Sequence, residues 1–157
     1  MSRRRDVVTG LGIISPVGNG VPEAWKNILA GASGITRITR FDPSPFSSQI
    51  AGEVKGFDPA QHLSAKEARR FDTFIHYGLA ASIEAIKDAG LDFDRERREQ
   101  VGVCIGSGIG GLSLIEETHK LVLASGPRKI SPFFIPGSII NLIAGQLSIM
   151  YGLKGPN

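Results

Sequence analysis

The 157 residues hold one cysteine, Cys104, so no disulfide can close within the chain, and such usage agrees with a reducing compartment. No apolar run approaches the roughly 18 residues needed to cross a bilayer. The N-terminus lacks the pattern of a secretory signal, because Arg3-Arg4-Arg5, read as a solvated terminus, leads straight into a short strand-like segment. One-sided charge is missing too. Eighteen Lys and Arg face 15 Asp and Glu, for a net charge of +3, which permits an acidic partner without implying nucleic acid. Aromatic residues make up only 7% and do not alternate with the cations, as a stacking platform for single-stranded nucleic acid requires. His62, His76 and His119 have no metal-ligand spacing. The chain is therefore expected to be cytoplasmic, with no metal, cofactor, nucleic-acid or membrane partner.

Glycine, by contrast, is abundant: 20 of 157 residues, close to twice the usual share of about 7%. That excess predicts close backbone packing and tight turns, and the nine prolines argue against a simple helix bundle. The length suits one domain. Val7 to Ile14, apolar and β-branched around Gly10 and Gly12, reads as a buried strand. Pro22-Glu23 opens a helix through Leu29. Residues 36–59 have no sustained period and read as a long loop with a short strand near Gln49–Val54. Ser64-Ala-Lys-Glu67 matches a capping box, and a second, largely apolar helix follows over 73–89, stopped by Gly90. Val101 to Ile105 reads as a strand covered on both faces. Helices are expected at Leu112 to Ala124, stopped by Gly126, and at Gly137 to Met150. Strands alternating with helices indicate an α/β architecture, but two confident strands leave its sheet incomplete.

The chemistry-bearing patterns each admit two readings. Gly106-x-Gly108-x-x-Gly111 follows the second strand and precedes a helix, as in a dinucleotide fingerprint. The acidic residue expected about 20 positions on is absent, so a turn that lets strand and helix pack closely is the competing explanation. Cys104, inside Val-Gly-Val-Cys-Ile, reads as an inert core residue rather than a nucleophile. Lys66, Arg69 and Arg70 fall at i, i+3 and i+4 and share one helical face, and Arg128-Lys129 add two cations in a loop. They are solvated surface charges or a docking face. Ser131 to Pro136 is an apolar segment stiffened by two prolines. Asn141 and Gln146 are polar residues in an apolar stretch and are expected to be hydrogen-bonded.

Val7-Val-Thr-Gly-Leu-Gly-Ile-Ile-Ser-Pro-Val-Gly18, Gly106-Ser-Gly-Ile-Gly-Gly111, Gly126-Pro-Arg-Lys-Ile-Ser-Pro-Phe-Phe-Ile-Pro136 and Tyr151 to Pro156 together resemble the first part of the beta-ketoacyl-acyl-carrier-protein synthase II family. These are condensing enzymes of fatty-acid synthesis. The resemblance runs from Val7 to Asn157 in order. It implies a thiolase-like layered αβαβα fold, here the N-terminal portion with an incomplete sheet, ending before the family's nucleophilic cysteine and its two catalytic histidines. It further implies a decarboxylative Claisen condensation. An acyl group passes from carrier protein to the cysteine thiolate, malonyl-carrier protein loses carbon dioxide, and the carbanion attacks the thioester. In the family's pattern Ile109 limits entry to the acyl pocket and Phe134 reaches the acyl tunnel of the partner in a homodimer. Lys66, Arg69, Arg70, Arg128 and Lys129 match positions that dock the acidic acyl carrier protein. No catalytic residue is assigned within 1–157, so the isolated chain is expected to be inactive, at most a carrier-binding fragment. A dinucleotide-binding domain is the remaining alternative. The apolar last helix and incomplete sheet are expected to leave apolar surface uncovered.

Overall fold

Residues 5–157 are described by the structure, a computed structural model. Arg3 and Arg4 of the expected solvated terminus lie outside the described residues, and Arg5 is exposed. The expected strand over residues 7–14 does not form as one. Only Ile14–Ser15 (β1) pairs, antiparallel with Gly18–Asn19 (β2). The reason lies in the backbone partners. Leu11 donates its N–H to Asp88 Oδ2 at 2.9 Å and Ile13 to Glu84 Oε2 at 2.9 Å. Glu84 Oε1 accepts from Val21 as well, at 2.8 Å. Amides that would join a sheet ladder are thus held by two carboxylates one helical turn apart. Gly10 and Gly12 permit this by lying against the helix backbone at Ala85 and Ala81, where a Cβ would collide.

Helix α1 spans Val21–Leu29 with proline in its first turn, as expected. The supposed loop that follows contains a hairpin, β3 (Ile35–Arg37) against β4 (Ile50–Gly52). Strand β4 was legible and β3 was not. Helix α2 (Ala65–Ala68) has the full reciprocal capping box between Ser64 and Glu67. Helix α3 (Thr73–Asp88) is capped by Asp72 and forms the hub of the molecule. It packs on α6 (Leu142–Tyr151), and Ile75 and Leu79 are fully buried between them, beside Ile143 and Leu147. Each such side chain contributes about 1.5–3 kcal/mol of transfer free energy.

Residues 101–105 are also not a strand. Val103 is buried, Gly102 and Cys104 are exposed, and Val101 and Ile105 are half-buried. This alternation is that of an extended segment with one face covered. It is tied to the chain end by Gly155 N–H to Val101 O (3.2 Å) and Val103 N–H to Pro156 O (2.8 Å). Cys104 is therefore exposed, not the core residue expected, because its side chain takes the uncovered face.

Helix α4 (Leu112–Ser125) ends at Gly126 as expected. The single helix expected over 137–150 is instead α5 (Phe134–Ser138) and α6, broken at residues 139–141. In an unbroken helix the Ser138 carbonyl would accept from Leu142. Here it accepts from Gly111 N at 2.8 Å, and Leu142 N turns to Ile139 O at 3.2 Å. Asn141, in this break, is exposed rather than set among apolar groups. Large apolar side chains do stand uncovered, among them Val8 at 81%, Leu123 at 75% and Ile149 at 73% exposure.

Candidate functional site

The helix after the glycine loop, the start of α3 and the helix that follows Phe133, separate in sequence, meet at one buried residue, Asp72. Its carboxylate Oδ1 accepts from Phe74 N (3.4 Å), capping α3, and Oδ2 accepts from Leu114 N at 2.7 Å. Helix α4 has Gly111 as its own cap residue and no local side chain to bond its first turn, so Asp72 caps it from 42 positions away. Asp72 N–H in turn donates to Gly137 O at 3.2 Å. The aspartate before Thr73 carries an ordinary cap signal for α3. Its second helix is a tertiary fact with no signal in the sequence.

The four glycines of the loop divide into two classes. Gly110 has φ +84°, and a Cβ there would stand 2.5 Å from Ser138 O. A Cβ on Gly111 would stand 2.8 Å from Ser138 Cα and 3.0 Å from Asp72 Cβ. Gly106 and Gly108 have nothing within 4 Å. Tight packing therefore explains the second half of the motif only. The dinucleotide reading does not fit: a carboxylate already occupies the N-terminus of α4, where a pyrophosphate would need an uncompensated positive end. Alanine at 106 or 108 is expected to be neutral or to stabilise by up to about 1 kcal/mol. Alanine at 111 should cost about 2 kcal/mol by overpacking. Urea unfolding midpoints of the three variants check this, and equal losses at all three positions would refute it.

Ile109 stands at the boundary between these classes and is 69% exposed. Phe134 is half-buried at the start of α5, and its neighbour Phe133 receives the Arg70 guanidinium, 3.9 Å from the ring centroid. This partly exposed cation–π stack ties the end of α2 to the proline-flanked segment. Lys66 and Arg69 are exposed, and Arg69 bends back to its own helix, Nε to Ala65 O at 3.0 Å. Glu67, the acid on this short helix, has its carboxyl held below the usual range, first by the Ser64 hydroxyl and amide and least by Arg70. Arg128 and Lys129 are exposed in a 3-10 turn, Pro127–Lys129, packed on α4. The structure thus brings Arg70 onto Phe133, beside Phe134, and leaves Lys66 and Arg69 exposed at α2 and Arg128 and Lys129 exposed in the 3-10 turn.

Of the histidines, His119 is exposed on α4, and His62 stacks on Phe57 with ring centroids 6.1 Å apart. His76 Nε2 lies 3.0 Å from Ala68 O. A carbonyl only accepts, so this nitrogen carries the proton and ties α3 to the end of α2. Burial holds the His76 pKa below the ordinary imidazole value, outweighing the Ala68 carbonyl and Asp72, which push it up. The unfolded chain then binds the proton more readily than the folded one. Stability should be full above the ordinary histidine pKa and fall as pH drops through and below it. Thermal unfolding midpoints between about pH 8 and pH 5 measure this loss, and a His76→Gln variant showing the same acid-side loss would assign it elsewhere. Glu84 and Asp88, which anchor the N-terminal segment, escaped sequence reasoning because solvated acids on a helix look no different. No group of His, Cys, Asp and Glu suited to a metal occurs among the described residues, and no helix there is long and apolar enough to cross a membrane.

The family model of the beta-ketoacyl synthase N-terminal domain matches residues 4–157. The chain is 57% identical over 157 residues to the 3-oxoacyl-[acyl-carrier-protein] synthase 2 of Vibrio cholerae serotype O1, covering all of this chain and 38% of that protein. The synthase of the same name from Coxiella burnetii is 52% identical over the same span, and that of Staphylococcus aureus is 48% identical over 154 residues. The chain thus spans about 38% of the length of these curated relatives. Among solved structures, the ishigamide ketosynthase/chain length factor superposes with a TM-score of 0.84 at 29% identity, over 99% of this chain and 39% of that one. A type II polyketide ketosynthase, solved in complex with its acyl-carrier protein, superposes with a TM-score of 0.78 at 28% identity, over 94% and 40%.

Proposed function

The chain belongs to the beta-ketoacyl synthase family and carries the N-terminal portion of its thiolase-like α/β fold, with the sheet incomplete; from this we propose that it serves a 3-oxoacyl-acyl-carrier-protein synthase. That enzyme is a cytoplasmic homodimer that lengthens acyl chains by decarboxylative condensation with malonyl-carrier protein. The observation that carries the proposal is identity of 48–57% to enzymes of that name across essentially the whole chain.

Residues 1–157 are the N-terminal part of the synthase domain, and the nucleophilic cysteine and both histidines come from outside them. Cys104 is not that nucleophile: although it is exposed, no base is hydrogen-bonded to it among the described residues. What 1–157 supplies is recognition. Lys66, Arg69, Arg70, Arg128 and Lys129 steer the acidic carrier protein, and the arginines suit a bidentate grip on its phosphopantetheine phosphate. Arg70, stacked on Phe133, connects that docking face to Phe134, which reaches the partner's acyl tunnel, while Ile109 lines the entry to the acyl pocket. Each methylene buried there is worth about 0.8 kcal/mol, so small changes in this wall alter which chain lengths react.

The test is malonyl-dependent elongation of acyl-carrier protein. The full-length protein containing this sequence should carry it out, and purified 1–157 should not. Failure of the former, or elongation by the latter, overturns the proposal.

A further inference from the structure

We propose that Asp72 is a positioning residue that holds the Ile109 loop in place and thereby sets acyl-length discrimination; the inference rests on the reading of Ile109 as the pocket gate. The hydrogen-bonded anchors of loop 106–111 lie at its far end. A Cβ built on Gly106 or Gly108 would meet nothing within 4 Å, while the far end is fixed by Gly111 N–H to Ser138 O at 2.8 Å and Leu114 N–H to Asp72 Oδ2 at 2.7 Å. A lighter tie, Gly110 N–H to Ser107 Oγ at 3.2 Å, closes the turn around Ile109 itself. The exposed Ile109 side chain, two residues before Gly111, therefore has its position dictated from the anchored end.

Both anchors are buried, Ser138 at 6% and Asp72 at 9% exposed, and Asp72 is the one that bonds through a carboxylate. A carboxylate bonded to a first-turn amide fixes the axis and rotation of α4 where the loop enters it. Its second oxygen caps α3, which packs on α6 through the fully buried Ile75 and Leu79. Asp72 thus refers the gate to the core. Arg70 lies two residues before it, stacked on Phe133, so the docking face and the gate share one support. Nothing about Asp72 places it in contact with substrate.

The discriminating variant is Asp72→Ser in the full-length protein. Serine is an equally good cap for α3 but offers a single short oxygen, leaving Leu114 N–H unpartnered. Asp72→Asn keeps the shape and one carbonyl oxygen and serves if the serine variant does not fold. The readout is the ratio of kcat/KM for hexanoyl- and myristoyl-carrier protein, with the carrier KM and the unfolding midpoint measured alongside. Ile109→Ala should shift the ratio by about fivefold or more, and Asp72→Ser should shift it by roughly threefold, with carrier KM changed by less than about twofold. In the Ile109→Ala background, Asp72→Ser should leave the ratio within about 1.5-fold while still lowering the unfolding midpoint, the non-additivity expected of residues acting through one group.

If Ile109→Ala shifts the ratio and neither Asp72 variant does, the positioning role is overturned and the gate stands. A shift by Asp72→Ser that persists in full without Ile109 also overturns it, because the effect then travels by another route. If Ile109→Ala leaves the ratio unchanged, the gate reading and the positioning role fall together.

Discussion

Leu79→Ala lowers the unfolding free energy by about 3 kcal/mol, within the 2–5 kcal/mol typical of emptied leucine sites. Leu79 has no exposed surface and sits in the α3–α6 contact with Ile75, Ile143 and Leu147. Both walls are helices, so neither can collapse into the void without shifting a whole element, and the cavity cost adds to the lost transfer free energy. Domains of this size hold only about 5–15 kcal/mol in reserve, so the variant should lose a large part of its stability. Leu123→Ala, by contrast, alters a side chain that is 75% exposed and should remain within about 0.5 kcal/mol of the parent. Denaturant unfolding of the pair gives the comparison. Similar losses in both would mean that the stability does not reside between α3 and α6.

Reversing the charge of Lys66, Arg69 and Arg70 together to glutamate weakens binding of the acidic carrier protein by about 100-fold, or roughly 2.7 kcal/mol. The loss should fall unevenly. Lys66 and Arg69 are exposed, so each acts chiefly through association rate and fades as salt screens it. Arg70 is half-buried with its guanidinium 3.9 Å from the Phe133 ring centroid, and its reversal destroys packing as well as attraction. Arg70→Lys should therefore cost about threefold although the charge is kept, since an ammonium does not stack as a planar guanidinium does. Binding isotherms at low and physiological salt separate these contributions. Unchanged affinity in the triple variant would remove the face from the docking surface.

The parts of this fold legible in the sequence are those whose signals are local. The Ser64–Glu67 capping box, Pro22 in the first turn of α1, and Gly90 and Gly126 as stops all act within a few residues, and α1 to α4 follow from them. The parts that were not legible are decided by distant partners. Residues 7–14 have strand-like composition, yet their amides go to Glu84 and Asp88. An apolar run over 137–150 looks like one helix until Gly111 takes the Ser138 carbonyl. Cys104 reads as core because Val101 to Ile105 is apolar throughout, whereas only one side of that segment is covered. The candidate site divides in the same way. Residue types at Ile109, Phe134 and the five cations are visible from motifs, but Asp72 as the joint between two helix starts is visible only once the N-termini of α3 and α4 meet.

The three backbone bonds that α3 takes from the N-terminal segment set an order of events during synthesis. Leu11 and Ile13 leave the ribosome well before their acceptors, which follow 77 and 71 positions later. At roughly 5–20 residues per second, the opening segment waits about 4–15 seconds for its carboxylates, with Val7 and Val8 exposed even in the finished structure. Residues translated before their partners thus reach their final place late, and closing so long a loop slows the step further. A chaperone that shields this segment of the nascent chain would act within that interval, and synonymous codons that stall translation between residues 20 and 80 would lengthen it.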